Sequence, residues 1–242
     1  MRKILKSLHT AFFYSFMFID VVILALGYSL FSRQKSRLPK ATYENLLNQR
    51  VRRWAKRQIR NTGAKINLIG EQNIPQDEAV LFVANHQSYF DIGLFLGYVN
   101  KNKGFIAKIG VQKVPLIRSY MNDLHCIYID RGNLRQNMQT ILEGIDILKN
   151  GYSLVVFPEG TRSIDMQSFK AGSFKLATKS GVPIVPVTID GAYKILPKGK
   201  KLINHRAQVT MVIHPPIHTQ ALSPDEQKDL HNLVAEIIKS GF

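Results

Sequence analysis

At 242 residues the chain can hold one α/β domain with a substantial core, plus an appendage. Its 33 Lys and Arg against 17 Asp and Glu give a formal net charge of +16, which calls for an anionic partner, either a nucleic acid or an anionic membrane surface. The single cysteine, Cys126, excludes a disulfide framework and a cysteine-rich zinc site. Its apolar neighbours Leu124 and Ile127–Ile129 mark it as a buried core thiol.

The charge is uneven. Residues 1–60 hold thirteen Lys or Arg against Asp20 and Glu44, a balance of +11, and residues 61–242 hold twenty against fifteen, a balance of +5. Within the basic front end, Ala11–Phe31 is almost wholly apolar and long enough to span a bilayer, for which about 20 residues suffice. Asp20 at its middle would cost roughly 2.5–3.5 kcal/mol there, which leaves room for a helix lying in one leaflet or pairing with its neighbour. Basic residues flank both ends, so the segment has no clear orientation, and it lacks the small-residue cleavage site of a signal peptide. Thr42–Gly63 follows, with Leu46, Leu47, Val51 and Trp54 set among six Lys and Arg. This is the pattern of a basic amphipathic helix on anionic headgroups, or of a solvated helix packing on the main domain. A nucleic-acid role would leave Ala11–Phe31 unexplained.

From residue 64 the pattern alternates. Short strands are predicted at Ile66–Gly70, Ala79–Val83, Gly104–Lys108, Leu124–Ile129, Ser153–Phe157, Val182–Ile189 and Gln208–His214. Helices are predicted from Asp91 to Val99, from Leu134 to Leu148 with Asn150-Gly151 closing it, and around Ser173–Ser180 before Gly181. Pro183 and Pro186 predict an edge or bent strand for 182–189. Ser223-Pro224-Asp225-Glu226 reads as a capping box opening a last helix with Leu230, Leu233, Val234, Ile237 and Ile238 inward. There are no repeats and no low-complexity linkers. The fold class is α/β, a mixed central sheet flanked by helices, with an N-terminal membrane-associated helical segment (1–63) before the main domain (64–242).

Asn85-His86-Gln87-Ser88-Tyr89-Phe90-Asp91 leaves a buried strand and enters a helix, the place where α/β folds expose functional groups. On one continuous helix, five steps of about 100° would point His86 and Asp91 apart. A bend between them lets the carboxylate reach an imidazole nitrogen, and a carboxylate-fixed histidine is a general base. The same spacing also fits a polar loop in which His86 only caps the helix. Other strand ends carry Lys108, Arg131 and Glu159–Arg162. If they converge, they supply up to three cations, which suit a phosphate-bearing substrate. Each has a plainer reading: Arg131 paired with Asp130, Arg162 paired with Glu159, and Lys108 an ordinary strand-end charge. No G-x-S-x-G nucleophile elbow is present. His125, His205, His214, His218 and His231 show no metal-ligand spacing.

The chain resembles the glycerolipid acyltransferases. Asn85–Asp91 matches their NHxSxxD block, and Phe157-Pro158-Glu159-Gly160-Thr161-Arg162-Ser163 matches their FPEGTRS block. Ile129-Asp130-Arg131 looks like the intervening arginine block, Phe169-Lys170-Ala171-Gly172 like F-K-x-G, and Val182–Val187 like the proline-containing strand. The blocks fall in family order over roughly residues 80–190. Within the family the chain is most similar to bacterial 1-acyl-sn-glycerol-3-phosphate acyltransferases. The resemblance implies transfer of an acyl group from acyl-CoA or acyl-carrier protein to the 2-hydroxyl of lysophosphatidic acid, making phosphatidic acid at the cytoplasmic face of the cell (inner) membrane. It implies His86 as general base, Asp91 orienting the imidazole, and Arg131, Glu159, Gly160, Thr161 and Arg162 at the acceptor phosphate with Lys108 nearby. No cofactor and no metal are expected, and the oxyanion donor would be Lys108 or a backbone N–H. Two alternatives stand beside this: the same chemistry on another lysolipid, such as a lyso-ornithine lipid, and a non-catalytic peripheral protein binding anionic lipids.

Overall fold

Leu81–Ala84 and Leu154–Val156 are apolar runs with no polar face, so they fit the interior of a sheet covered on both sides. In the computed structural model they are neighbouring central strands. The structure describes residues 2–130, 132–197 and 199–242; Arg131, one of the expected site residues, lies outside them. Seven strands form the sheet: β1 (Lys65–Ile69), β2 (Leu81–Ala84), β3 (Lys103–Lys108), β4 (Ile127–Ile129), β5 (Ser153–Val156), β6 (Ile184–Asp190) and β7 (Gln208–Ile213). Their order is β1-β7-β6-β2-β5-β3-β4. β2 pairs in parallel with both β5 (Val83 with Val156) and β6 (Ala84 with Val187). β3 pairs in parallel with β5 (Phe105 with Val155) and β4 (Lys108 with Ile129). The residues that follow β6, β2, β5, β3 and β4 are therefore delivered to one edge of the sheet.

Two compact units divide the chain. The larger, Leu68–His86, Lys101–Ile189 and Met211–Phe242, holds most of the sheet with α4 (Pro115–Asp123), α5 (Leu134–Lys149), α6 (Lys175–Ser180) and α7 (Pro224–Lys239). Its core joins Leu81, Val83, Leu154, Val156 and Ile184 of the strands to Leu148, Leu176, Leu230, Val234 and Ile238 of the helices. Burying each such side chain contributes about 1.5–3 kcal/mol. Gly144 of α5 lets the layers close, since a Cβ there would lie 2.5 Å from Leu176 Cδ2. The Asn133 side chain caps α5 by accepting from the Gln136 N–H, and Ser223 and Glu226 form the expected capping box on α7.

The other unit comprises Met1–Asn67, Gln87–Asn100 and Asp190–Thr210, with α1 (Arg2–Ser32), α2 (Lys40–Asn61) and α3 (Phe90–Tyr98). Tyr43, Leu47, Val51, Ala55 and Ile59 form the buried stripe of α2 at four-residue spacing. Gly97 permits the close approach of α3, because a Cβ would sit 3.0 Å from the Lys56 backbone nitrogen. α2's basic residues are partly engaged here. Arg52 Nε donates to Gly97 O at 3.1 Å, Arg57 pairs with Asp20, and Arg50 lies over the Phe31 ring.

Several expectations need correction. Of the two alternatives for 182–189, edge or bent, the edge one fails: β6 lies between β7 and β2. Pro186 is tolerated there because its carbonyl accepts from the His214 N–H (3.0 Å), just past the end of β7, where the ladder no longer requires a donor from residue 186. The strand predicted from Leu124 is shorter: Leu124 ends α4, and His125, at φ 55°, turns the chain into β4. Residues 109–123 carry no clear sequence period, yet form a 3-10 turn and then α4, started by Pro115 at its first turn. Leu233, placed inward by the sequence, is exposed, and α7 buries only the stripe Leu230, Val234 and Ile238.

Candidate active site

β2 ends at Ala84, and the next three residues show why the chain turns as it does. Asn85 is buried, so both ends of its amide need partners. Its Nδ2 donates to Ile189 O and its Oδ1 accepts from the Ile189 N–H, each at 2.8 Å, which fastens the end of β2 to β6. His86 follows. Its backbone N–H donates to Glu159 Oε1 at 2.6 Å, and its carbonyl accepts from the Ser163 N–H at 2.9 Å. The imidazole stacks on Phe157, with centroids 4.2 Å apart and planes 21° apart. The residue is partly buried, and its backbone is held from two directions.

Glu159 comes from the turn after β5, the strand next to β2. It is 5% exposed, and its second oxygen accepts from the Gln167 N–H at 2.8 Å. A carboxylate so placed joins the backbone of His86 to the loop that carries Thr161 and Arg162. Gly160 turns that loop at φ +73°, a left-handed backbone that a side chain would strain, and its N–H closes the turn on Phe157 O. Thr161 and Arg162 stand exposed at the loop's tip. Lys108 is exposed at the carboxyl end of β3, the strand beyond β5. At the end of β4, the Asp130 side chain accepts from the Gly132 N–H, so the carboxylate is engaged in its own turn.

In the other unit, Asp91 sits in the first turn of α3 and is fully buried. Its Oδ2 accepts from the N–H groups of Gln87 and Ser88, at 2.7 and 2.8 Å. Both N–H groups belong to the turn before α3, so the carboxylate closes that turn. The straight-helix problem seen in the sequence is resolved by this turn: the chain is not helical between His86 and Phe90, and α3 begins only at Phe90.

The structure thus delivers His86, Lys108, Glu159, Gly160, Thr161 and Arg162 to the strand ends of one unit, places Asp91 at the head of α3 in the other, and leaves Arg131 outside the described residues. The sequence reading missed Asn85 as the fastener of the turn; its signal was an asparagine directly after a buried strand. It also passed over Gln87, whose carboxamide oxygen is buried without a hydrogen-bond partner. Among the described residues, no group of three or more His, Cys, Asp or Glu is arranged to hold a metal ion. Other histidines make local contacts: His125 is tilted against Tyr152, His205 meets His9, His214 bonds Thr188, and His231 lies edge-on to Phe174. Cys126 is buried, its Sγ accepts from the Phe105 N–H, and burial pushes the thiol up to about 12.

Comparison with known proteins agrees with the blocks. The sequence model of the acyltransferase family matches residues 65–190, just over half of the chain. A chloroplastic 1-acyl-sn-glycerol-3-phosphate acyltransferase of Arabidopsis thaliana is 39% identical over 157 residues, 64% of this chain and 44% of that protein. The 1-acyl-sn-glycerol-3-phosphate acyltransferase of Borreliella burgdorferi is 29% identical over 178 residues, covering 73% of this chain and 71% of the relative. The chain spans about half the length of the plant and algal relatives it matches. The crystal structure of the 1-acyl-sn-glycerophosphate (LPA) acyltransferase PlsC from Thermotoga maritima superposes with a TM-score of 0.84 at 32% identity, over 100% of this chain and 97% of that one.

Proposed function

The chain belongs to the acyltransferase family, and on that premise we propose that it acylates the 2-hydroxyl of 1-acyl-sn-glycerol-3-phosphate from an acyl thioester, forming phosphatidic acid. One observation carries the reading. The two blocks that resemble the glycerolipid acyltransferases leave the carboxyl ends of neighbouring parallel strands and are tied together by the Glu159 bond to the His86 backbone.

In this reaction His86 takes the proton of the acceptor hydroxyl as its oxygen attacks the thioester carbonyl. The tetrahedral intermediate collapses, the C–S bond breaks, and the thiolate leaves with the proton returned from the imidazolium. Alcohol and thioester become ester and thiol. No covalent acyl-enzyme is needed, so the missing serine elbow is no obstacle. Asp91 orients the imidazole and stabilises its charge. Arg162, Thr161, Gly160, Arg131 and Lys108 receive the acceptor phosphate. Glu159, with both oxygens on backbone N–H groups, serves as a positioning residue for His86 and the phosphate loop.

The acceptor is a membrane lipid, which gives the front end its task. Ile4–Ser32 is long and apolar enough to cross a membrane by length and composition. Yet one face of α1 is used: Thr10, Phe13, Asp20 and Phe31 are buried, while Leu8, Phe12, Phe18, Leu26 and Leu30 are exposed. This two-faced helix supports an anchor (1–63) that lies in one leaflet and holds the acyltransferase domain (64–242) at the cytoplasmic face of the cell membrane. The deciding experiment is acyl transfer by the purified protein, with lysophosphatidic acid compared with other lysolipids and acyl-CoA compared with acyl-carrier protein. Lysophosphatidic acid should be the preferred acceptor, and His86→Ala should lower turnover by at least a thousandfold with the fold intact. Preferred acylation of a phosphate-free lysolipid would refute the acceptor, and substantial turnover by His86→Ala would refute the base.

A further inference from the structure

The positive charge of the larger part of the chain is concentrated in one segment. Of the +5 balance over residues 61–242, residues 190–206 supply five basic groups, Lys194, Lys198, Lys200, Lys201 and Arg206, against Asp190, or +4. The rest of that range is nearly neutral, with fifteen basic groups against fourteen acidic. Lys198 lies outside the described residues; Lys194, Lys200, Lys201 and Arg206 are exposed. None of them belongs to the candidate active site.

This segment is clamped to the amino-terminal third of α1, within the same compact unit. The Ile203 N–H donates to Thr10 Oγ1 at 2.9 Å, and both residues are buried. The His205 ring meets His9 edge to face, with centroids 5.6 Å apart. Gly63 backs this contact, since a Cβ there would lie 2.9 Å from His205 Cβ. Lys6 and Arg206 are both close enough to act on the His205 charge. On these same turns of α1, Ile4, Leu5, Leu8 and Phe12 are 58–65% exposed. The segment therefore lies against one face of these turns of α1 while an apolar stripe is uncovered on another. Basic groups on one side of a helix and exposed apolar side chains on the other suit the boundary between lipid headgroups and acyl chains.

We propose that Lys194, Lys200, Lys201 and Arg206 form a second membrane-contacting element, which takes the headgroups of anionic lipids while the exposed stripe of α1 enters the acyl region. It rests on the reading of α1 as a membrane anchor. An acidic protein would satisfy the charge alone, but it would leave the exposed apolar stripe of α1 unused. With about fivefold in partitioning for each basic group near an anionic surface, three such groups amount to roughly a hundredfold at low salt. The attraction is screened as salt is raised, over about 10 Å at 0.1 M.

The test is sedimentation of the full-length protein with vesicles of phosphatidylcholine, alone or mixed with phosphatidylglycerol. Wild type is compared with the triple variant Lys200→Gln, Lys201→Gln, Arg206→Gln. A second triple variant, Lys149→Gln, Lys228→Gln, Lys239→Gln, loses the same charge at other exposed positions. The loop variant should lose about a hundredfold on anionic vesicles and nothing on neutral ones, with the control close to wild type. Equal losses in the two variants, or none in either, overturn the proposal while leaving α1 as an anchor. A loop variant that binds vesicles normally but loses affinity for an acidic acyl-carrier protein makes the segment a protein-docking surface instead. A wild type that binds neither kind of vesicle refutes the anchor as well.

Discussion

Glu159→Gln is the most informative single substitution, because it separates a carboxylate that binds substrate from one that holds the backbone. Glu159 accepts from two N–H groups, His86 at 2.6 Å and Gln167 at 2.8 Å, and is almost completely buried. A glutamine of the same shape has one acceptor oxygen, so its NH2 group must face one of the two donors. One charge-assisted hydrogen bond is lost and one buried N–H is left without an acceptor, about 3 kcal/mol together. In a chain of this size that corresponds to a fall in Tm of roughly 6–12 °C. The imidazole rides on the displaced backbone, and a misplacement of about 1 Å in a reacting group can cost a hundredfold in rate. The expected kinetic result is therefore kcat down about a hundredfold, with the KM for lysophosphatidic acid within about twofold of wild type. Thermal melts and steady-state kinetics in detergent micelles measure both. An unchanged Tm and kcat with a raised acceptor KM would show that Glu159 touches the acceptor, and the positioning argument would fail.

Two further predictions concern stability. Asp20 is 7% exposed and accepts from Arg57 and Gln58, whereas the Arg57 side chain is 47% exposed; Arg57→Ala, which leaves the acid buried and under-paired, should therefore lower Tm more than Asp20→Ala, and the reverse order would refute the role assigned to the pair. The single Thr188 hydroxyl proton goes to Ile238 O, so Thr188 must accept from His214 Nε2–H, and burial lowers the His214 pKa from 6.5. The unfolded chain then takes up the proton first, so His214 costs stability as pH falls below about 6.5, by at most about 1.4 kcal/mol per pH unit. His214→Gln should flatten the decline in Tm between about pH 7 and 5, and an unaltered slope would exclude His214 as its source.

What the sequence disclosed, and what it hid, follows from the range of the interactions. Local devices were legible: the Ser223–Glu226 capping box needs only four residues, and the stops at Asn150-Gly151 and Gly181 need fewer still. Interior strands such as Leu81–Ala84 announced themselves by composition. The position of β6 did not, because whether Pro186 is tolerated depends on where a neighbouring strand ends, 27 residues further on at Ile213. The exposure of Leu233 was hidden for a similar reason, since helical spacing cannot tell a stripe three residues wide from one of two. At the site, the residue types and their blocks were visible, but the partners were not. Nothing in the spacing says that Glu159 spends both oxygens on backbone 73 and 8 residues away in sequence.

Those partners explain why a turn of only a few residues needs two acids. Three successive N–H groups leave the end of β2, those of His86, Gln87 and Ser88, at a point where no strand or helix accepts them. Glu159 takes the first, and Asp91 takes the second and third. Left unmet, buried donors of this kind cost about 1–3 kcal/mol each, so the turn cannot keep its form without the carboxylates. The carboxylates that fix the backbone hold the turn that carries the proposed base, and this joins folding to the proposed chemistry. Phe157 adds the third restraint by stacking on the imidazole itself. A general base needs a constant position, and the bonds at Asn85, His86, Gln87 and Ser88 hold the backbone that would set it.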